Sequence, residues 1–330
     1  MLSKNEWDPL ETVIVGIADA ARIPNIDISL RTINYADKID LTEIQVGLYP
    51  KQVIDEANED LEILCDFLKK ENVKVLRPNK EVVPKYYNYC PRDSVFVHKD
   101  LILATPQPLR ARHDEYLAMD QHFKLFANQG ARYITKKAKK NDDLYNLNCL
   151  GNRDILALTE VEPAFDAANI IRDNDNLYYL VSNGGNEVGA HYLQELVGDS
   201  VKVWPIKNIY SFMHIDSTIA LLREGLMLLN PSRIKSINQL PLPLQNWDVV
   251  WAPEPIDFGH YPGYCGASPW LNVNLLSVRP DLVILEEKQH NLRKELEKKG
   301  IDCAMLPGRQ QRTLAGGFHC VTLDLQRNHR

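Results

Sequence analysis

Ala315-Gly316-Gly317-Phe318-His319-Cys320-Val321-Thr322-Leu323-Asp324 completes the pattern on which the whole chain is built. Two glycines permit a tight turn and the close approach of another group. The run that follows alternates, with Phe318, Cys320 and Thr322 on one side and His319, Val321 and Leu323 on the other, and predicts a short strand. Cys320 would then open a strand, beside a histidine and after a glycine hinge. A cysteine so placed is either a nucleophile, where its surroundings favour the thiolate, or a buried core residue.

The strand at 320–325 is left over from a repeat that runs through the rest of the chain. Residues 92–134 read as strand (93–97), turn at Lys99-Asp100, strand (101–104), helix (112–128) and strand (131–134). Residues 165–205 repeat the order, with a strand at 166–171, a turn at 173–176, a helix over Glu187–Val197 and a strand at 201–204. It recurs from His214, with Gly225 in the turn, and from Asn272, with Arg279-Pro280-Asp281 in the turn and a helix at 289–299. The N-terminal segment has a strand at 12–16, a helix at 52–71 and a strand at 73–76, but no opening strand. Joining the left-over C-terminal strand to it completes a fifth unit and closes a ring. The predicted fold is α/β: a five-bladed propeller of ββαβ modules with pseudo-fivefold symmetry, occupying residues 1–330 as one domain. Two long stretches interrupt the pattern, 18–49 and 136–163, and such connections are commonly lids or surface loops.

Composition narrows the function. Hydrophobic residues make up 45% and charged residues 25% of the 330, the balance of a globular protein with a full core. A net charge of −6 argues against a nucleic-acid binder, which would show a basic face. The six cysteines form no Cys-x-x-Cys pair and have no histidine cluster at zinc spacing; Cys65 and Cys303 read as core fillers in a helix and a strand. No apolar leader opens the sequence and no apolar run reaches the ~18 residues of a membrane span. The expectation is a cytoplasmic protein with reduced thiols.

The starts of the predicted blades carry the chemistry. Asp93, Asp166, His214 with Asp216, and Cys320 each open one, and in a propeller these first strands line a central channel. A cysteine, a histidine and a carboxylate form a nucleophile, a general acid/base and its orienting partner. Further carboxylates would hold a cation, and a planar guanidinium matches them by paired hydrogen bonds. The pattern therefore points to attack on a guanidinium carbon.

Five motifs, in order, carry a resemblance: Cys90-Pro91-Arg92-Asp93, the run Glu162 to Asn169, Met213-His214-Ile215-Asp216-Ser217-Thr218, Asn230-Pro231-Ser232-Arg233 and Gly316-Gly317-Phe318-His319-Cys320. They resemble the amidinotransferases of the guanidino-group-modifying pentein superfamily, over nearly the whole chain. Asn5 to Leu10 and Asn186 to Ala190 look closest to the aminocyclitol-phosphate branch. The resemblance implies Cys320 as nucleophile, His214 as acid/base with Asp166 as its partner, Asp93 and Asp216 on the donor guanidinium, and Arg233 on the donor carboxylate. Ser268 would be a further substrate contact. It implies a ping-pong transfer from L-arginine through an amidino-cysteine, releasing ornithine, with no metal or organic cofactor. The partners would be small molecules, with no nucleic acid or membrane; a homo-oligomer is left open. Before the histidine stand Ser211-Phe212-Met213, where glycine amidinotransferases carry an Asn-Pro-Met-His pattern, which argues against glycine as acceptor; Ser211 and Met213 are expected among the substrate-binding residues. A diamine or polyamine acceptor suits the acidic charge and the apolar Phe212 and Met213; an aminocyclitol phosphate and an arginine deiminase-type hydrolysis are the alternatives. The segment 18–49 would help to cover the site.

Overall fold

The computed structural model describes residues 2–139, 141–210 and 212–329. It contains five three-stranded sheets of one design and a small two-stranded one. In the first of these, Val95–His98 pairs antiparallel with Leu101–Ala104 across a tight turn, and Arg132–Thr135 then adds parallel to Leu101–Ala104. The same arrangement joins Ile170–Asp173, Asn176–Leu180 and Lys202–Ile206. It recurs in Ile219–Arg223, Leu226–Leu229 and Asp248–Trp251, and in Leu276–Arg279, Leu282–Glu286 and Asp302–Leu306. The middle strands are apolar and buried, as a strand covered on both faces must be.

The fifth sheet draws on both ends of the chain. Leu10–Val15 pairs antiparallel with Thr322–Arg327 and parallel with Lys74–Leu76. The connection from Leu10–Val15 to Lys74–Leu76 includes the helix Lys51–Lys70, which follows Pro50. Its buried residues Val53, Ala57, Leu61, Leu64 and Leu68 recur at helical spacing and put one face on the sheet. Asn72, at φ 63, takes the left-handed backbone that turns the chain out of the helix.

Three sequence expectations need correction. Each first strand begins later than the alternation implied, because a short helical turn precedes it. Asp93 lies in the turn Pro91–Ser94, Asp166 caps Ala167–Asn169, His214 caps Ile215–Ser217, and Ser268 caps Pro269–Val273. Cys320 likewise lies in a turn, closed by Val321 N–H donating to Gly317 O at 3.0 Å, with the strand starting only at Thr322. A single helical turn mimics a two-residue alternation over so few residues. The second correction concerns the unit from Ile219, which has two 3₁₀ turns, Ile237–Gln239 and Leu242–Leu244, in place of an α-helix. Pro241 and Pro243 explain this, since each removes a backbone donor. Third, the helix expected over 112–128 is divided into two 3₁₀ turns and the helix Asp120–Asn128.

The interrupting stretches are ordered against each other. Segment 18–49 holds the helix Ile28–Ile33 and the paired strands Arg22–Ile23 and Gly47–Leu48. Leu30 and Ile33 pack with Leu144, Tyr145 and Leu158 of the second stretch, and Met213 joins this cluster. The basic run from Lys136 reads as a solvated loop, yet its Ala138 is buried there; Lys140 lies outside the described residues. No helix among the described residues is long and apolar enough to cross a membrane.

A buried ionic cluster ties the sheets together beneath the turns. Arg172, on a first strand, donates Nε and Nη2 to the Glu6 carboxylate, both at 2.8 Å, and Nη2 also reaches Asp324 at 2.7 Å. Arg92 Nη2 lies 2.7 Å from Asp324, and Arg327 Nε donates to it at 2.6 Å. The arginines hold both carboxyls below the usual carboxylate range despite the opposing effect of burial. Removing the central cation takes the forked partner from Glu6 and one of three arginines from Asp324, so Arg172→Met should cost about 3–5 kcal/mol in urea unfolding at pH 7. The sign of its pH dependence follows from the shifts. The wild type loses this contribution as pH falls through and below the carboxylate range, whereas the mutant gains by protonating the buried Glu6 carboxyl that has lost its forked partner. The stability gap between the two should therefore narrow on acidification; a gap constant from pH 7 to pH 4 would contradict this account.

Candidate active site

The helical turns bring the candidate residues to one place. Asp166 and Ser268 stand at N-cap positions, yet neither side chain accepts from its own turn. The Asp166 carboxylate faces His214 instead, with His214 Nε2 at 2.9 Å from Oδ2. Gly184 makes room for it: a Cβ there would lie 2.9 Å from Asn169 Oδ1 and 3.3 Å from Asp166 Oδ2. A carboxylate on Nε2–H turns Nδ1 to the interior of the site, where Asp93 Oδ1 is 3.9 Å away.

Cys320 is buried among acidic groups. Its Sγ lies 3.3 Å from Asp216 Oδ2, and Asn274 Nδ2 donates to it at 3.1 Å. Cys90 adjoins from the turn before Val95–His98. A Cβ on Gly316 would come within 2.4 Å of Cys90 Sγ and 3.3 Å of Cys320 Cβ. A Cβ on Gly317 would meet Asn274 O at 2.6 Å. The glycine pair therefore serves close approach, and the left-handed residue of this segment is Ala315, at φ 61.

The charges set the resting protonation. The hydrogen bond to Cys90, burial and the negative charges of Asp216 and Asp93 push the Cys320 thiol well above its ordinary value. Burial would lower His214, but Asp93 and Asp166 outweigh it and raise it well above the usual histidine value. Burial raises Asp93 as well, against the pull of Arg112. Asp216 stays below the carboxylate range, since hydrogen bonding and charge from His319 and His214 overcome its burial. Thus at neutral pH the site holds a thiol, an imidazolium and an ionised Asp216.

Several expected residues prove to be partly engaged. Asp93 Oδ2 pairs with the buried Arg112 at 2.7 Å, leaving Oδ1 without a hydrogen-bond partner. Arg233 stacks its guanidinium 3.5 Å from the centre of the Tyr210 ring. Its Nη1 donates to Ser217 O, Ser217 Oγ and Thr218 Oγ1 at 2.7–3.0 Å. Among the described residues it pairs with no carboxylate. Ser268 is exposed at its turn, and Met213 turns to the packed cover. Ser211 lies outside the described residues.

Sequence reasoning passed over Arg112, Glu115, Asn274 and His319. Arg112 sits between Asp93 and Glu115, at 2.8 Å from the latter, and burial keeps Glu115 raised to about 7. His319 bridges Asp216 at 2.9 Å and Glu6 at 3.3 Å, linking the site to the ionic cluster below. Asn274 had a signal, since it precedes the first strand of the fourth unit much as Cys320 precedes that of the fifth. Asp93, His214 and Cys320 also present ligand atoms within 4.8 Å of one another. A metal would need the imidazole and thiol deprotonated, against both shifts. The chemistry that the set favours is nucleophilic attack on a cationic carbon centre, with a proton donor at hand.

Comparisons with known proteins agree in kind. No family model matches the chain. It is 41% identical to inosamine-phosphate amidinotransferase 1 of Streptomyces glaucescens, over 98% of this chain and 95% of that one. It is 30% identical to the L-arginine:L-lysine amidinotransferase of Pseudomonas savastanoi pv. phaseolicola, over 98% of this chain and 94% of that protein. The solved inosamine-phosphate amidinotransferase of Streptomyces griseus superposes with a TM-score of 0.93 at 38% identity, covering 100% of this chain and 97% of the other. With this likeness along its whole length, and a buried thiol, imidazolium and carboxylates gathered at one point, the chain belongs to the amidinotransferases.

Proposed function

We propose that this amidinotransferase moves the amidino group of L-arginine to the amine of an aminocyclitol phosphate, an inosamine phosphate in kind, and releases ornithine. The five sheets are its propeller blades, forming one domain around the site. What carries the choice of acceptor is the 41% identity to an inosamine-phosphate enzyme, against 30% to an enzyme acting on lysine. The diamine or polyamine acceptor expected from net charge has weaker support. Met213, meant to carry its methylene chain, packs against Leu30 and its neighbours.

The site residues then take these roles. The arginine guanidinium enters beside Asp216 and the open Oδ1 of Asp93, and its positive charge favours the Cys320 thiolate, whose proton leaves to solvent. Sγ attacks the guanidinium carbon, forming a C–S bond. His214 passes its proton to the departing nitrogen as the C–N bond breaks, and ornithine leaves. Asp166 holds the imidazole throughout. The acceptor amine next attacks the amidino carbon and gives a proton to His214, and the C–S bond breaks to return the thiolate. The donor carboxylate pairs with the outer edge of Arg233, which Tyr210, the Ser217 carbonyl and the Ser217 and Thr218 hydroxyls hold in place. Segments 18–49 and 136–163, packed together, cover the intermediate against water.

Three measurements test this. Cys320→Ser should abolish ornithine release while still binding arginine, and full turnover in that variant would remove the nucleophile assignment. In the free enzyme, iodoacetamide should label the Cys320 peptide with a pH midpoint above the ordinary thiol value of about 8.5. Guanidinium ion at a non-denaturing concentration should lower that midpoint, and an unchanged midpoint would contradict activation by the substrate cation. In an acceptor screen with arginine as donor, an aminocyclitol phosphate should exceed putrescine and glycine in kcat/KM by roughly tenfold or more, about 1.4 kcal/mol. Ornithine without citrulline should accompany it. A higher kcat/KM for putrescine would restore the charge argument, and citrulline as the product would mean hydrolysis.

A further inference from the structure

Asn274 spends its side-chain amide and its carbonyl on the nucleophile turn, while its own N–H donates to Leu271 O at 2.9 Å. Its carbonyl accepts from His319 N–H at 3.3 Å, and its Oδ1 accepts from Cys320 N–H at 3.0 Å. Its Nδ2 donates to Cys320 Sγ at 3.1 Å. The amide cannot be reversed: the Cys320 backbone N–H is a donor only, so the oxygen must face it and the NH₂ must face sulfur. Asn274 is itself 2% exposed and ends the 3₁₀ turn Pro269–Val273. Gly317 lets it come this close, since a Cβ there would fall 2.7 Å from Oδ1.

The other groups around the sulfur make this donor matter. From the turn before Ile219–Arg223 come Asp216, 3.3 Å away, and His214. From the turn before Val95–His98 come Asp93 and Cys90, and Tyr89 borders the same pocket. Asp216 and Asp93 repel a thiolate. His214 supports one while it carries its proton, but passes that proton to the departing nitrogen in the first half of the reaction and regains one only from the acceptor amine in the second. Asn274 Nδ2–H does not titrate, and it is a neutral donor fixed on sulfur in every state.

We propose that Asn274 stabilises the Cys320 thiolate through Nδ2–H, both when the thiol ionises to attack and when sulfur leaves the amidino carbon. Its Oδ1 and carbonyl hold the turn that presents the sulfur. The amidino thioether is a poor acceptor, so the bond is stronger to the free thiolate than to the intermediate. The difference lowers the barrier to thiolate departure in the second half-reaction. This rests on Cys320 as the nucleophile.

The test compares Asn274→Asp, which keeps an acceptor for Cys320 N–H, with Asn274→Ala, which removes the donor without adding charge. Iodoacetamide labelling of the Cys320 peptide is followed against pH in the free enzyme, with kcat, KM for arginine and thermal midpoint measured alongside. The labelling midpoint should rise in both variants, by about one unit or more in Asn274→Asp. For both, kcat should fall roughly 10- to 100-fold, with KM for arginine little changed. Labelling midpoints equal to wild type in both variants would overturn the proposal. So would an Asn274→Ala whose activity falls only with its folded fraction, which would make Asn274 a clamp and nothing more. An active Cys320→Ser is a separate outcome, and it would overturn the nucleophile assignment beneath.

Discussion

The arginine at the centre of the fold, Arg172, holds Glu6 from the N-terminal segment and Asp324 from the last strand in one buried ionic contact. Two carboxylates this deep are tolerated only because arginines satisfy them with forked hydrogen bonds. The contact also fixes geometry. Glu6 and Asp216 both accept from the His319 ring, so the carboxylate facing Cys320 is oriented by a chain that begins in the core. Site and scaffold are thereby one electrostatic system. His319 and His214 keep Asp216 ionised, and Asp93 and Asp166 in turn raise His214.

The same system explains a resting state that is poor at its own chemistry. The thiol is held protonated by a second thiol, by burial and by negative charge. On the proposed mechanism those carboxylates receive the cationic donor, whose arrival would change the sign of the local field beside Cys320. Reactivity is reserved for the complex, and a free thiol in this pocket is shielded from stray electrophiles by the charges that later help it.

Much of this was legible in the sequence, and for identifiable reasons. The repeat could be read because buried strands and amphipathic helices have different periods, as in Lys51–Lys70 and Leu282–Glu286. The pairing of the two chain ends in one sheet followed from one strand lacking a partner at each end. Asp93, Asp166, His214, Asp216 and Cys320 were found because they occupy matching places in successive units. The short turns that carry them were not legible: one helical turn lasts too briefly to impose its period, and the alternating letters of 318–323 imitate a strand. Arg112 and Asn274 were missed for another reason. Their importance lies in which partner they meet, and that is settled only when distant turns are brought together.

Closing the fifth sheet with Thr322–Arg327 sets the order of events at synthesis. The strand Leu10–Val15 is made early, but its antiparallel partner comes some three hundred residues later, as Ser3 and Asp324 do, 321 positions apart. Until then one of its edges has no strand beside it, and contacts of such long range form slowly. The strand that completes this sheet is also the one that follows Cys320. A chain that has not yet reached it therefore lacks the completed fifth sheet, and the segment that supplies the strand also carries Cys320.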